Sequence, residues 1–358
     1  LSRLRGRSAA SKPLFVFQRT PSSVDERKNQ RLDPAWFSAI ATPGWQQRWL
    51  DNFTANQTGA ANEVDLVMDG WTDLTRRIRA RISMLPPDQR SPKQLLRAFE
   101  EADFEKMEQI RARVDAVVED SATAQKLKAW YPQLCKRPCF HDEYLQAYNL
   151  PSTRLIDTDG KGVERITARA VVVAGKEYDV DCIIYASGFQ VGYAVGTSDL
   201  GTSVTQQLGF DIVGRGGLLL SRHWAGGMRT KHGMHVHGFP NLFLVQPTQA
   251  ANLISNVPHN LTEAAKTIAV VVKRVLDRGR QTVEVTKQAE DAWLELLLSG
   301  PGRMLGSADC TPGYYNNEGQ DVGRAAALNV GYPQGATAFF QYLDRWRRAD
   351  ELEGLELR

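Results

Sequence analysis

Phe17-Gln18-Arg19-Thr20-Pro21 closes an apolar run, Leu14-Phe15-Val16-Phe17, with a cation and a hydroxyl and no carboxylate. In a doubly wound dinucleotide domain the end of the second strand meets the adenosine ribose. An acid there takes the 2′-hydroxyl of NAD, and a nearby arginine accommodates the 2′-phosphate of NADP. Arg19 can fork onto a phosphate, and Thr20 can donate a hydroxyl hydrogen bond. The same residues equally suit a surface arginine after an edge strand. Lys136-Arg137-Pro138 sets two adjacent cations in a loop stiffened by proline. They can point apart and serve two anions, one a phosphate and the other charge developing at a reaction centre. A solvated basic pair at a helix end, where cations complement the helix dipole, is the plainer reading.

Two glycine-bearing segments follow. Asp181-Cys182-Ile183-Ile184-Tyr185-Ala186 reads as a buried strand, with Cys182 a small core residue, and Ser187-Gly188-Phe189 turns the chain sharply after it. Trp224-Ala225-Gly226-Gly227-Met228-Arg229-Thr230 leads into His237-Gly238-Phe239-Pro240-Asn241, where glycines allow a ligand close to the backbone. His232, His235 and His237 lack a neighbouring carboxylate or cysteine and read as turn or core residues, not as metal ligands. Cys135 and Cys139 have no second pair at zinc spacing. Late in the chain, Gly313-Tyr314-Tyr315-Asn316-Asn317-Glu318-Gly319 suits either an aromatic pocket wall with hydrogen-bonding groups or a packed surface loop.

The elements that must position these groups alternate between helix and strand. Leu14–Phe17 is expected as a short strand, and the stretch from Ser22 to about Ala60 as irregular but packed around its tryptophans. A charged helical block runs from about Asn62 to Trp130, broken at Pro86-Pro87. It restarts with Ser91 as N-cap and Pro92 in the first turn, with Leu95, Leu96, Phe99, Phe104, Met107, Ile110 and Val114 at roughly helical spacing. Arg154–Asp157 and a hairpin turning at Ala174-Gly175-Lys176 are strands, as is Leu242–Val245. Asn260-Leu261-Thr262-Glu263 is a capping box opening a helix, and a second helix carries Trp293, Leu296 and Leu297. At 358 residues with 42% hydrophobic and 24% charged content, the chain has the composition of an ordinary globular protein of two or three domains. A net charge of +3, with acids and bases interleaved, argues against nucleic acid. No apolar run spans a membrane and no signal peptide is evident, so a cytoplasmic setting is expected.

Taken in order, these segments resemble the second half of the Baeyer–Villiger monooxygenases. The strand end Phe17–Pro21, Asp33-Pro34-Ala35-Trp36, Pro43-Gly44-Trp45-Gln46, the Lys136-Arg137 pair, Tyr185–Phe189 and Gly238–Phe243 all have counterparts there. The resemblance implies an α/β flavoprotein with two dinucleotide-binding domains, truncated at the N-terminus and carrying a helical insertion. Residues 1–28 and 136–187 would be part of the NADP domain, 29–135 the insertion and 188–358 the C-terminal part of the FAD domain. It implies oxidation of a ketone to an ester or lactone with NADPH, FAD and O2. Arg19, Thr20 and Lys136 would grip the NADP 2′-phosphate, Arg137 would be catalytic, and Ser187, Gly188 and Phe189, in the link back to the FAD domain, would bind the cofactor. Tyr314, Tyr315 and Asn316 would border the substrate, with the late loop and helical block similar to the subgroup acting on large or macrocyclic ketones. The family's glycine-rich cofactor turns are missing from the sequence, so the isolated chain is expected to be inactive and to bind FAD weakly. A flavin enzyme oxygenating nitrogen or sulfur, and a non-catalytic interaction module, are the alternatives.

Overall fold

The computed structural model describes residues 13–58, 60, 62–188, 209–245, 249, 256–300, 310–313, 328 and 330–358. Strands β1 (Leu14–Gln18) and β2 (Val24–Asp25) precede helices α1 (Pro34–Ile40), α2 (Trp45–Thr58), α3 (Gly70–Met84), α4 (Pro92–Val117) and α5 (Ser121–Leu127). Then come β3 (Cys139–Phe140), β4 (Thr153–Asp157), β5 (Arg165–Ile166), β6 (Ala170–Val173) and β7 (Lys176–Asp179). A short helix α6 (Leu220–His223) is followed by α7 (Val257–Asp277), β8 (Val283–Val285), α8 (Lys287–Leu298), α9 (Gly335–Arg348) and β9 (Leu355–Leu357). The chain divides into two compact units, Leu1–Phe37 with Met68–Phe189, and Ser38–Val67 with Gln190–Arg358. This grouping does not follow the expected 29–135 insertion. Ser38–Val67 belongs to the second unit, and α3 to α5 belong to the same unit as β1 and β4.

In the first unit β1 and β4 pair in parallel, Leu14 opposite Thr153 and Gln18 opposite Asp157. Side chains alternate across a strand. Val16 and Leu155 accordingly pack on the cluster of Val114, Val118, Ala124, Leu127 and Leu145 from α4, α5 and the loop beyond. Phe15 and Phe17 instead meet the edge of Tyr178, at ring-centroid distances of 5.4 and 5.7 Å. Tyr178 lies on the antiparallel sheet β5-β6-β7, whose hairpin turns at Ala174 and Gly175, both at positive φ. Helix α4 starts where its sequence says: Ser91 caps it and forms a capping box with Gln94. Its buried stripe, however, is Ala98, Ala102, Met107, Ile110 and Val114, while Leu96 and Phe104 face solvent.

Three further expectations change. Residues 22–60 carry a strand and two helices in place of irregular chain. The helix expected to start at Asn260 starts a turn earlier, with Asn256 as N-cap, because Pro258 needs no hydrogen-bonded N–H in a first turn. Asp181–Ala186 is not a strand. A strand requires an edge to pair with, none among the described residues pairs with this segment, and Cys182, Ile184 and Tyr185 are exposed. Leu242–Val245 likewise forms only an isolated bridge, His235 to Phe243.

The second unit is built on α7, α8 and α9. Its main cluster holds Met234, Ala264, Trp293, Leu297, Phe339, Phe340 and Leu343. A second cluster, Val271, Val275, Val283, Trp346 and Leu352, lies under the antiparallel pair β8-β9.

Candidate functional site

The end of β1 is fixed by its backbone. Gln18 is buried, and its carbonyl accepts from the N–H of Thr158 at 2.8 Å and from the Thr158 hydroxyl at 2.9 Å. Its side-chain amide donates to the Lys126 carbonyl at 2.9 Å, and the Arg19 carbonyl accepts from Gly160 N–H at 3.1 Å. Gln18 therefore works as a structural residue, and the next side chain, Arg19, is exposed.

The Lys136-Arg137-Pro138 loop is brought to the chain leaving β1 by a parallel ladder. β2 pairs with β3, Val24 opposite Cys139 and Asp25 opposite Phe140. Tyr131 adds a clip. Its hydroxyl donates to the Pro21 carbonyl at 2.8 Å and accepts from Ser23 N–H at 3.1 Å. Burial pushes its pKa up to about 12, so the phenol stays protonated and keeps both bonds. The Lys136 ammonium lies 5.7 Å from the centre of the same ring. One tyrosine thus holds the Thr20-Pro21 side by its hydroxyl and carries Lys136 on its face.

Helix α4 supplies the frame behind both loops. Asp103, Lys106 and Arg113, three and then seven residues apart, share one face. The Asp103 carboxylate accepts from Gln133 N–H at 2.9 Å, just before the cationic pair. Burial raises its pKa. Arg113 donates to the carbonyls of Val24 at 2.8 Å and His141 at 3.1 Å, spanning β2 and the exit of β3. Lys106 is buried between Asp25 at 2.5 Å and Asp73 of α3 at 2.8 Å. Burial works to raise the Asp73 pKa, but Lys106 and Arg77 outweigh it and hold the carboxyl below its ordinary value. Beyond β3, the Asp142 carboxylate accepts from the N–H groups of Arg27, Lys28 and Asn29, the bond from Asn29 contributing most to its lowered pKa.

Arg137 is exposed, and its guanidinium lies 5.3 Å from the centre of the Trp71 ring. Arg19, Thr20, Lys136 and Arg137 therefore sit on neighbouring segments joined by β2-β3 and Tyr131. Ser187 and Gly188 are exposed, with Gly188 at φ +84°, the sharp turn its sequence implies. Phe189, Tyr314, Tyr315 and Asn316 lie outside the described residues. Sequence reasoning missed Tyr131, Lys106, Arg113 and Trp71. Tyr131 alone left a local signal, an aromatic polar residue shortly before the cationic pair.

In the second unit the glycine segment around Gly238 is closed by its own partners. Glu290 accepts from His237 N–H at 2.8 Å and Glu284 from Gly238 N–H at 2.9 Å. His232 is buried among the rings of Trp293, Trp346 and Tyr342 and meets the Tyr342 hydroxyl at 3.0 Å. His235 is buried beside Phe243. Among the described residues no group of three acidic, histidine or cysteine side chains has metal-binding geometry, and no helix is long and apolar enough to cross a membrane.

No family model matches the chain. It is 48% identical over 346 residues to neopentalenolactone D synthase of Streptomyces avermitilis, covering 96% of this chain and 56% of that protein. It is 42% identical to a Baeyer–Villiger monooxygenase of Streptomyces coelicolor, covering 95% of this chain and 54% of that one. The structure matches a polycyclic ketone monooxygenase from Thermothelomyces thermophila with a TM-score of 0.82 at 35% identity, covering 97% of this chain and 56% of that one. A steroid monooxygenase bound to NADP shares the fold at a TM-score of 0.67 and 20% identity. The chain spans about half the length of these relatives.

Proposed function

Because this chain belongs with the Baeyer–Villiger monooxygenases over the stretch it shares with them, we propose that it supplies the coenzyme-gripping side of an NADPH- and FAD-dependent ketone monooxygenase. The product is an ester or lactone, and O2 is the co-substrate. When bound, FAD supplies the oxygen-transfer chemistry, and NADPH supplies electrons. The chain's own residues hold and orient. Arg19, Thr20 and Lys136 take the 2′-phosphate of NADP, and Arg137 holds negative charge that develops as oxygen is transferred to the carbonyl. The residues fit the phosphate end of NADP, since the strand end offers cations and a hydroxyl and no carboxylate to repel a dianion. For the diphosphate of FAD the sequence offers no Gly-x-Gly-x-x-Gly turn, so this chain brings no helix-end cradle of its own. Ser187, Gly188 and Phe189 are assigned to the link beside the cofactor, and Tyr314, Tyr315 and Asn316 to the substrate wall. A large or macrocyclic ketone is the proposed substrate class, in keeping with the polycyclic ketone named for the structural relative. A cytoplasmic setting goes with this reading.

The observation that supports the proposal is the Tyr131 clip with the β2-β3 ladder, which runs the chain just after Arg19-Thr20 alongside the chain just after Lys136-Arg137. The test is coenzyme choice in the holoenzyme. Charge-assisted bonds are worth about 1.5–3 kcal/mol each, or about ten- to a hundred-fold. Arg19→Ala and Lys136→Ala should each raise KM for NADPH by that order and leave KM for NADH nearly unchanged. Equal loss with both coenzymes would assign these residues to the fold. Product analysis with a ketone and a thioether separates this activity from nitrogen or sulfur oxygenation.

A further inference from the structure

The start of α3 is shaped around an aromatic ring. Gly70 opens the helix, and a Cβ added there would collide with the Phe140 ring. Gly70 does not have positive φ, so conformation does not demand glycine here; space does. Phe140 fills that space and packs on Trp71 with ring centroids 4.9 Å apart. Trp71 is fixed at its backbone, because its N–H donates to the Asp69 cap at 2.9 Å. That carboxylate also binds Arg27 at 2.7 Å. The Trp71 ring carries the Arg137 guanidinium, which makes no ion pair among the described residues. A cation over an indole face is attracted by the ring quadrupole while its N–H edges remain free to donate.

We infer that Trp71 is the positioning residue of Arg137, and that Gly70 and Phe140 set the plane of its ring. The inference rests on the catalytic reading of Arg137 given above. The aromatic face orients the guanidinium, and its N–H edges keep the geometry to donate to charge that appears during the reaction.

The experiment compares Trp71→Leu, Trp71→Phe, Gly70→Ala and Arg137→Ala in the holoenzyme. It reads ester formed per NADPH consumed, the rate of flavin reduction, melting temperature and the side-chain NMR signals of Arg137. Trp71→Leu should lower ester yield about ten-fold, the scale of losing orientation of one group, with flavin reduction unchanged. The Arg137 side-chain protons should move from ring-shielded positions to those of a free arginine. Trp71→Phe keeps a π face and should retain most of the yield. Gly70→Ala leaves Trp71 in place but displaces Phe140, and should shift the Arg137 signals and lower the yield in the same direction, which keeps the test decisive if Trp71→Leu does not fold. Unchanged yield and unchanged Arg137 signals in Trp71→Leu, with Arg137→Ala inactive, would overturn the inference and leave the catalytic reading standing. Full ester yield in Arg137→Ala would remove that reading and the inference with it.

Discussion

The two units fix a functional-looking loop in opposite ways. In the first, the segment from Tyr131 to His141 is held through its backbone and aromatic faces: Asp103 takes Gln133 N–H, Arg113 takes the His141 carbonyl, and Tyr131 and Trp71 carry the cations. In the second, the segment around His232 to Gly238 is enclosed. Its rings lie among Trp293, Tyr342 and Trp346, and its N–H groups are taken by the buried Glu284 and Glu290. The first loop is anchored by its backbone and by ring faces under its two cations. A loop that only supports a fold can bury its polar groups.

The sharpest way to break this contrast is to remove the charge that frames the first loop. Lys106→Met leaves Asp25 and Asp73 facing each other without their shared cation, so about 3 kcal/mol should be lost. Arg77 also pairs with Asp73, which keeps the loss at the lower end of the range for broken buried pairs. The urea midpoint measures it, and hydrogen exchange should rise first at Tyr131–His141.

Mild acid should do the reverse and loosen only the second unit. Burial depresses the pKa of His235 to about 3, with Lys231 adding to the effect, and holds His232 well below its ordinary value for the same first reason. Their unfolded forms protonate near 6.5. A histidine with a depressed folded pKa gives its full stability above the unfolded value and loses it as pH falls. His235 therefore costs about 1.4 kcal/mol per pH unit below about 6.5, or about 2 kcal/mol between pH 7.5 and 5, and His232 adds to the loss in the same direction. Asp73 titrates in the native state only below its ordinary 3.8, so the first unit should keep its exchange protection over that interval. Equal loosening of both units at pH 5 would contradict the comparison.

Two smaller changes sharpen it. Tyr131→Phe keeps the ring under Lys136 and deletes the clip, leaving Ser23 N–H and the Pro21 carbonyl unbonded, for about 1.5 kcal/mol. It should also weaken NADP+ binding by calorimetry, since the two loops lose their joint. Ser91→Ala removes only the cap of α4 and should cost about 1 kcal/mol in thermal unfolding without altering coenzyme affinity.

What the sequence revealed tracks how local the determining physics is. The α4 cap, the Ala174-Gly175 turn and the Trp293 helix each rest on residues within one or two turns, and each formed as its sequence says. Asp181–Ala186 has the composition of a strand, but composition cannot supply the neighbouring edge. The shift of the α4 stripe toward Ala98 and Ala102 was equally hidden, because which face is buried depends on what packs there. In the candidate site, Arg19, Thr20, Lys136 and Arg137 were singled out by residue type and order, and their assignment remains a proposal. Trp71 and Lys106 were not, since their partners lie far along the chain and only the folded unit brings them together.

The parallel pairing of β1 with β4 also sets a timetable. The Thr158 hydroxyl that locks the end of β1 lies 140 residues downstream of Gln18. At about 5–20 residues per second, a ribosome needs on the order of ten seconds to deliver it. During that wait α3, α4 and α5 can form from local contacts, while Leu14-Phe15-Val16-Phe17 has neither its sheet partner nor the Tyr178 ring that covers it. Over that interval this short apolar stretch lacks the cover that β4 and Tyr178 later give it. Slowing translation between α5 and β4 should lower the yield of folded protein more than slowing it elsewhere.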